Sequence, residues 1–265
     1  MITLDFLIKP QVVAIHLLNT YIGKGYALPG APTAEAEALV EQAQKLDDQT
    51  CKLLSGELGP SSLVLASISS ECNLTEIGKR IDKLVDALII EPAFPVILKQ
   101  TAKALADVRN EWEHNFFRSS ELLAELTGLK LDRHFSVYLT HPATPQGFND
   151  LRGNIFWTYR LDFPNYNTVY LWHEIMHYYI DREQKYSNIL RHSIVELLSD
   201  VELRQRLNGG SYLPLVGHPY LQEAETKLLP SWETYVKQKS KKNINHYIAQ
   251  ADKLLKEDDE EDKKP

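Results

Sequence analysis

Tyr170–Glu202 reads YLWHEIMHYYIDREQKYSNILRHSIVELLSDVE, and the rest of the chain is organised around it. His173 and His177 stand four residues apart, a step that turns a helix by about 400° and leaves both side chains on one face. Two neutral imidazoles placed so can grip one metal ion, and His-Glu-x-x-His on a helix is the pattern of zinc hydrolases. Glu174 follows the first histidine by one residue, so it points off the ligand face toward water on the metal, where a general base is needed. From Val169 to Ile180 the flanking residues carry no charge apart from Glu174, as suits a partly buried ligand helix. Asn165 and Asn167 are placed to cap that helix, and Asp181, Arg182 and Glu183 mark where it reaches solvent.

A catalytic zinc site takes three protein ligands and keeps one position open. Glu196 comes 19 residues after His177, on the next expected helix. Asp200 lies at i+4 from it, on the same face, placed to accept the free N–H of a ligating histidine. This order, HExxH and then ExxxD about twenty residues on, resembles the gluzincin metallopeptidases, the thermolysin-like clan, over roughly Phe156 to Arg204. The resemblance implies His173, His177 and Glu196 as ligands of one Zn2+ per chain, Glu174 as general base, and Asp200 as the partner of His173. It also implies an edge strand that binds substrate backbone by β-augmentation, at Asn154 and Phe156. Read as a hairpin instead, that strand has an aromatic core face.

A rival third ligand is Glu183, ten residues after His173, where the metzincin pattern has its last histidine. That pattern needs a glycine three residues after the second histidine to break the helix, and Ile180 stands there. Glu183 reads better as a solvated helix end. His192, at i−4 from Glu196, shares its face and is an alternative ligand or oxyanion donor. Thermolysin-like catalysis also needs a hydrogen-bond donor beside the zinc. The family supplies it from a downstream tyrosine or histidine; Tyr212, His218 and Tyr220 are the candidates, with His218 the first choice.

The 265 residues suffice for one large domain or two lobes around a cleft. Hydrophobic and charged contents of 43% and 25% are those of an ordinary globular chain. A net charge of −7 without a basic stripe argues against nucleic-acid binding. No signal peptide and no run of eighteen apolar residues are seen, so no membrane span is expected and the expected compartment is cytoplasmic. That departs from the many secreted members of the clan. Cys51 and Cys72 form neither a metal spacing nor a disulfide framework.

In chain order, Met1–Leu7 reads as a strand and Pro10–Tyr21 as an amphipathic helix. A Gly/Pro loop follows over 23–32, then a helix from Ala34 to Leu54. Asn73-Leu74-Thr75-Glu76 caps a helix running to Ile90. The periodic stretch Pro92–Leu126 is too long for one helix, and a break is expected near Asn115 or Ser119, with Gly128 as the stop. His16 and His114 read as packing or surface residues. His134–Thr140 and Asn154–Leu161 alternate as strands. Ile189–Leu207 is a helix closed by Asn208-Gly209-Gly210, and Pro219–Val236 and Asn243–Leu255 are helices separated by a lysine-rich, solvated turn. The organisation expected is a helical N-terminal lobe over 1–128, a zincin-like lobe over 129–256 and a disordered charged tail over 257–265.

The fold expected is α+β and zincin-like, mostly helical, with a small antiparallel sheet packed on the metal-binding helices. The function expected is zinc-dependent hydrolysis of a peptide or protein substrate, with neither nucleic acid nor membrane as a partner. The alternatives are a regulatory HExxH protein that cleaves or binds one partner, a silent zinc scaffold, and a chance HEIMH in an ordinary helix.

Overall fold

The computed structural model describes residues 1–22, 33–55, 76–144, 147–182, 185–209 and 218–261. The 23–32 loop, the Asn73–Thr75 cap, Cys72, Glu183, Gly210, Tyr212 and the last four tail residues lie outside them. The fold is α+β and mostly helical, with a small sheet. The chain divides into two compact units. One takes Leu4–Asn110 and Phe135–Arg160, the other Met1–Thr3, Glu111–His134 and Leu161–Pro265. This division does not follow a break at Gly128, and most of the sheet belongs with the N-terminal helices. No helix among the described residues is long and apolar enough to cross a membrane.

The sheet-bearing unit contains α1 (Pro10–Ile22), α2 (Ala34–Ser55), α3 (Glu76–Ile89) and the first half of α4 (Phe94–Thr127). α1 is not amphipathic: Val12 through Leu18 are all buried, so it is a core helix with apolar residues all round. Leu39, Leu54, Leu84, Leu88, Phe94 and Phe156 close around it. His16 is buried in this helix, and burial pushes its imidazole down to about 4, which keeps it neutral.

The sheet order is β1 (Thr3–Leu7), β2 (His134–Leu139), β4 (Asn154–Trp157), β3 (Phe148–Asn149). It is mixed rather than antiparallel. β2 and β4 run parallel with Val137 opposite Ile155, while β3 meets β4 antiparallel with Phe148 opposite Phe156. The long connection between β2 and β4 permits a parallel return, which needs about a dozen residues or more. β4 is therefore flanked on both sides and is not the substrate-binding edge the resemblance implied. Phe156 is fully buried, stacked on Tyr138 and Phe148, and the Asn154 side chain donates to Asp150 at 2.7 Å. His141, just past the end of β2, is structural. Its Nδ1 accepts from Ala143 N–H, so its Nε2 carries the proton given to Gln100 Oε1 at 2.6 Å.

α2 bends where Asp47 leaves helical geometry (φ −156°, ψ 81°) and caps the turn that follows. Its carboxylate accepts from Thr50 N at 2.9 Å, from Thr50 Oγ1 at 2.6 Å and from Arg80 at 2.9 Å. These bonds, those from Thr50 first, hold the carboxyl down at about 2 against an ordinary 3.8. A depressed carboxyl stabilises the fold above its ordinary range and loses that contribution as pH falls through the folded value. Asp47→Ala is expected to cost about 1 kcal/mol at neutral pH, and the difference from wild type should vanish near pH 2. Urea midpoints at the two pH values check this.

The helical unit holds the rest of α4, then α5 (Tyr166–Ile180), α6 (Asn188–Glu196), a π-helix (Leu197–Leu203), α7 (Arg204–Asn208), α8 (Gln222–Lys237) and α9 (Ile244–Glu261). α4 runs unbroken through Asn115 and Ser119. Both side chains bond back to the carbonyls four residues earlier, at 2.9 and 2.8 Å, and so follow the helix instead of ending it. α9 continues to Glu261, into the stretch expected to be disordered. Lys242, expected in a solvated turn, is buried, with its ammonium 3.6 Å from Glu125.

Gly128 ends α4 with φ +69°, its N–H donating to Ala124 O at 2.9 Å. A Cβ there would strike the carbonyl of Lys242. Gly128→Ala therefore combines left-handed backbone strain with a clash against backbone. It is expected to cost about 2 kcal/mol or more, lowering Tm by roughly 5 °C in a calorimetric scan.

Candidate metal centre

α5 is held by packing and by a borrowed cap. Asn165 precedes it in a left-handed conformation (φ 59°) and makes no side-chain cap. Its amide spans Asn115 and Asn208 instead, at 2.9 and 2.8 Å. The cap comes from Glu111 on α4, whose carboxylate accepts from Thr168 N at 2.7 Å and from Asn167 Nδ2 at 2.9 Å. An anion at a helix N-terminus satisfies free N–H groups and opposes the helix dipole. Trp172 is fully buried against Trp112 and Phe116, and its indole N–H donates to Ser119 Oγ at 2.7 Å. This seat fixes the rotation of α5 and hence where His173 and His177 point.

The two histidines meet as the i, i+4 spacing requires, their Nε2 atoms 3.0 Å apart. α6 begins at Ser187, whose hydroxyl accepts from Leu190 N at 3.1 Å, and brings His192 and Glu196 to the same place. The rings of His173, His177, His192 and His218 follow one another at centroid spacings of 4.7, 4.6 and 4.8 Å. The row runs outward, from buried His173 to exposed His218, which stacks on exposed Tyr220. Two groups here can hold a metal ion. In each, His173–His177–His192 and His192–Glu196–His218, the donor atoms lie within 4.8 Å of one another.

Buried polar atoms without hydrogen-bond partners support the fit. They include Nδ1 of His173, Nε2 of His192 and Oε2 of Glu196. Unmatched buried polar atoms are costly; a cation would take the lone pair of His192 Nε2, while His173 Nδ1 and Glu196 Oε2 face each other at 3.7 Å. Burial first, and then neighbouring imidazoles, push His173 well below its ordinary value and His192 down to about 3. Both rings are neutral at physiological pH, the form in which imidazole ligates.

Asp181 and Tyr170 do work the sequence reading missed. Asp181 does not merely mark solvent: its carboxylate lies 3.0 Å from His177 Nδ1 and is backed by Arg191 at 3.6 Å. Its i+4 spacing from His177 was the available signal. Asp200 does not bond a histidine. It accepts from the Tyr170 hydroxyl at 2.8 Å and sits against Glu196, whose carboxyl is raised by burial and then by a hydrogen bond with Asp200. A π-helix begins immediately after Glu196 and carries Asp200; such wide turns recur at functional sites. Glu225 on α8 had no signal in the sequence. It is fully buried with neither oxygen hydrogen-bonded, and burial raises it to about 7.

Glu174 is buried too, and burial raises its carboxyl to about 7, against a lowering by nearby His177. His218 and Tyr220 join the row of rings, Tyr220 with its hydroxyl 3.2 Å from His192 Nδ1. Asn154 and Phe156 belong to the other unit. Set against models of known families, curated proteins and solved structures, the chain matches none.

Proposed function

We propose that this chain is a zinc-dependent hydrolase of peptide bonds with Glu174 as its general base. The observation that carries the reading is the meeting of His173 and His177 Nε2 at 3.0 Å, beside His192, Glu196 and His218. His173 and His177 would hold the zinc, with a third donor from α6. When bound, zinc supplies a Lewis acid that polarises a carbonyl and brings the pKa of its water toward about 7. Asp181 accepts the Nδ1–H of His177 and so directs its Nε2 lone pair inward. Glu174 takes a proton on a carboxylate oxygen and passes it to the leaving nitrogen. His218, with Tyr220 beside it, offers an N–H toward the oxygen where negative charge develops.

The test is elemental mass spectrometry on purified protein, followed by a peptide library read by mass spectrometry. About one zinc per chain is expected, absent from His173→Ala and His177→Ala, with cleavage that stops when a chelator is added. The exposure of only 4% at His173 and 6% at Glu174 favours a second reading, a zinc protein that is silent or acts on one partner. Stoichiometric zinc with no cleaved peptide would decide for it. Wild-type protein that refuses zinc would leave HEIMH as an ordinary helix.

A further inference from the structure

We infer that the third ligand of this ion is His192, and that Glu196 is a positioning residue which orients His173 instead of binding metal. The inference rests on the reading that HEIMH holds a metal, and it departs from the ligand set implied by the gluzincin resemblance. Three imidazoles converge. His173 and His177 already face each other through Nε2 at 3.0 Å, close to the separation of about 3.3 Å expected between tetrahedral donors on zinc bonds of about 2.0 Å. One ring nitrogen of His192 falls within 4.8 Å of a nitrogen on each of them.

The remaining nitrogens say which atoms are free. His177 Nδ1 is committed to Asp181 at 3.0 Å, leaving Nε2 as the lone-pair atom. His192 Nδ1 pairs with the Tyr220 hydroxyl at 3.2 Å. With Nδ1–H donating to that oxygen, Nε2 holds the lone pair, and Nε2 is the buried His192 atom with no hydrogen-bond partner. His173 uses Nε2 toward His177, so its Nδ1 carries the proton. The oxygen facing that Nδ1 is Glu196 Oε2, at 3.7 Å, and both atoms are otherwise unmatched. A small rotation of either side chain closes the bond. A ligating histidine that donates its other N–H to a carboxylate is the usual arrangement around protein metals.

Glu196 is thus on the wrong side of His173 to be a ligand beside it: it meets Nδ1, whereas the metal side is Nε2. Its other oxygen lies 3.7 Å from His192 Nε2 and 3.9 Å from His218 Nε2, yet Glu196 does not join the group in which the donor atoms of His173, His177 and His192 converge. Asp200, tied to Tyr170, holds it from behind.

The test is a titration of metal-free full-length chain with Zn2+ against a chromophoric chelator, repeated with Co2+ to read the visible absorption of a four-coordinate site. Far-ultraviolet circular dichroism of each metal-free variant checks folding. Glu196→Gln is expected to keep one metal per chain and the four-coordinate Co2+ spectrum, with affinity lowered about 10–100-fold. His192→Ala is expected to lose stoichiometric binding and that spectrum; His192→Gln serves in its place if the alanine variant does not fold. Loss of metal from Glu196→Gln, with or without loss from the His192 variant, would overturn the inference. So would retention of metal by the His192 variant. In each of these cases the wild type still binds one ion, and the hydrolase reading stands. A wild type that binds neither Zn2+ nor Co2+ overturns both.

Discussion

On the proposed hydrolase reading, Glu174→Gln is expected to bind zinc as the wild type does and to lose peptide hydrolysis by about 10²–10⁴-fold, the usual worth of a positioned general base. The amide has the size of the carboxyl and cannot take up a proton from water. Glu174 sits one residue after His173 on α5, so the change leaves the His173–His177 face and its Asp181 support untouched. It also replaces a buried acid, which burial already disfavours in its charged form, with a neutral group. Zinc content and kcat measured on the same preparation separate the roles. A variant that loses its zinc would show that Glu174 helps to hold the ion. A variant that keeps full turnover would move the base elsewhere, with Glu225 the next buried carboxyl to examine.

What could be read in the sequence was what is local. The HEIMH helix, a following helix from about Ile189 and the stop at Gly209 follow from spacing and a left-handed glycine, all within a few residues, whereas the Ser187 cap that starts α6 shows only in the structure. The meeting of His173 with His177 is of this kind. Strand direction was not, because alternation is the same for parallel and antiparallel neighbours; the pairing of β2 with β4 is decided by the connection between them. Nor could α4 be followed past Asn115 and Ser119, since these residues favour turns until their side chains are seen bonding back along the helix.

At the candidate metal centre the contacts that sequence does not reveal have one cause. Residue type and spacing give the face a side chain occupies, not which atom meets it. Asp200 lies near Glu196 as i+4 suggests, yet its partner is the Tyr170 hydroxyl, 30 residues back in the chain. Asp181 reads as a solvent marker at the helix end, although the same i+4 rule ties it to His177. The cap of α5 comes from Glu111, on a helix more than fifty residues earlier, which no capping pattern around Asn165 can foresee.

Trp172→Ala is expected to be the most destabilising single change near the centre, about 3–5 kcal/mol, or roughly 10 °C in Tm. The side chain is fully buried, its ring centroid 5.2 Å from Trp112 and 6.4 Å from Phe116, and its N–H is spent on Ser119. Truncation opens a cavity between α4 and α5 and leaves the Ser119 hydroxyl without that donor. Because Trp172 precedes His173, relaxation into the cavity would turn α5 and carry the histidine pair off its register with His192. Metal affinity should therefore fall in a variant that keeps every ligand. Trp172→Phe, which refills most of the volume but lacks the N–H, should recover most of the stability and the affinity. If Trp172→Ala were to unfold at the wild-type temperature, the aromatic seat would not be what holds α5. If it were destabilised yet bound metal at full strength, the histidines would be positioned by α6 and Asp181 instead. Calorimetry and metal titration on the two variants distinguish these outcomes.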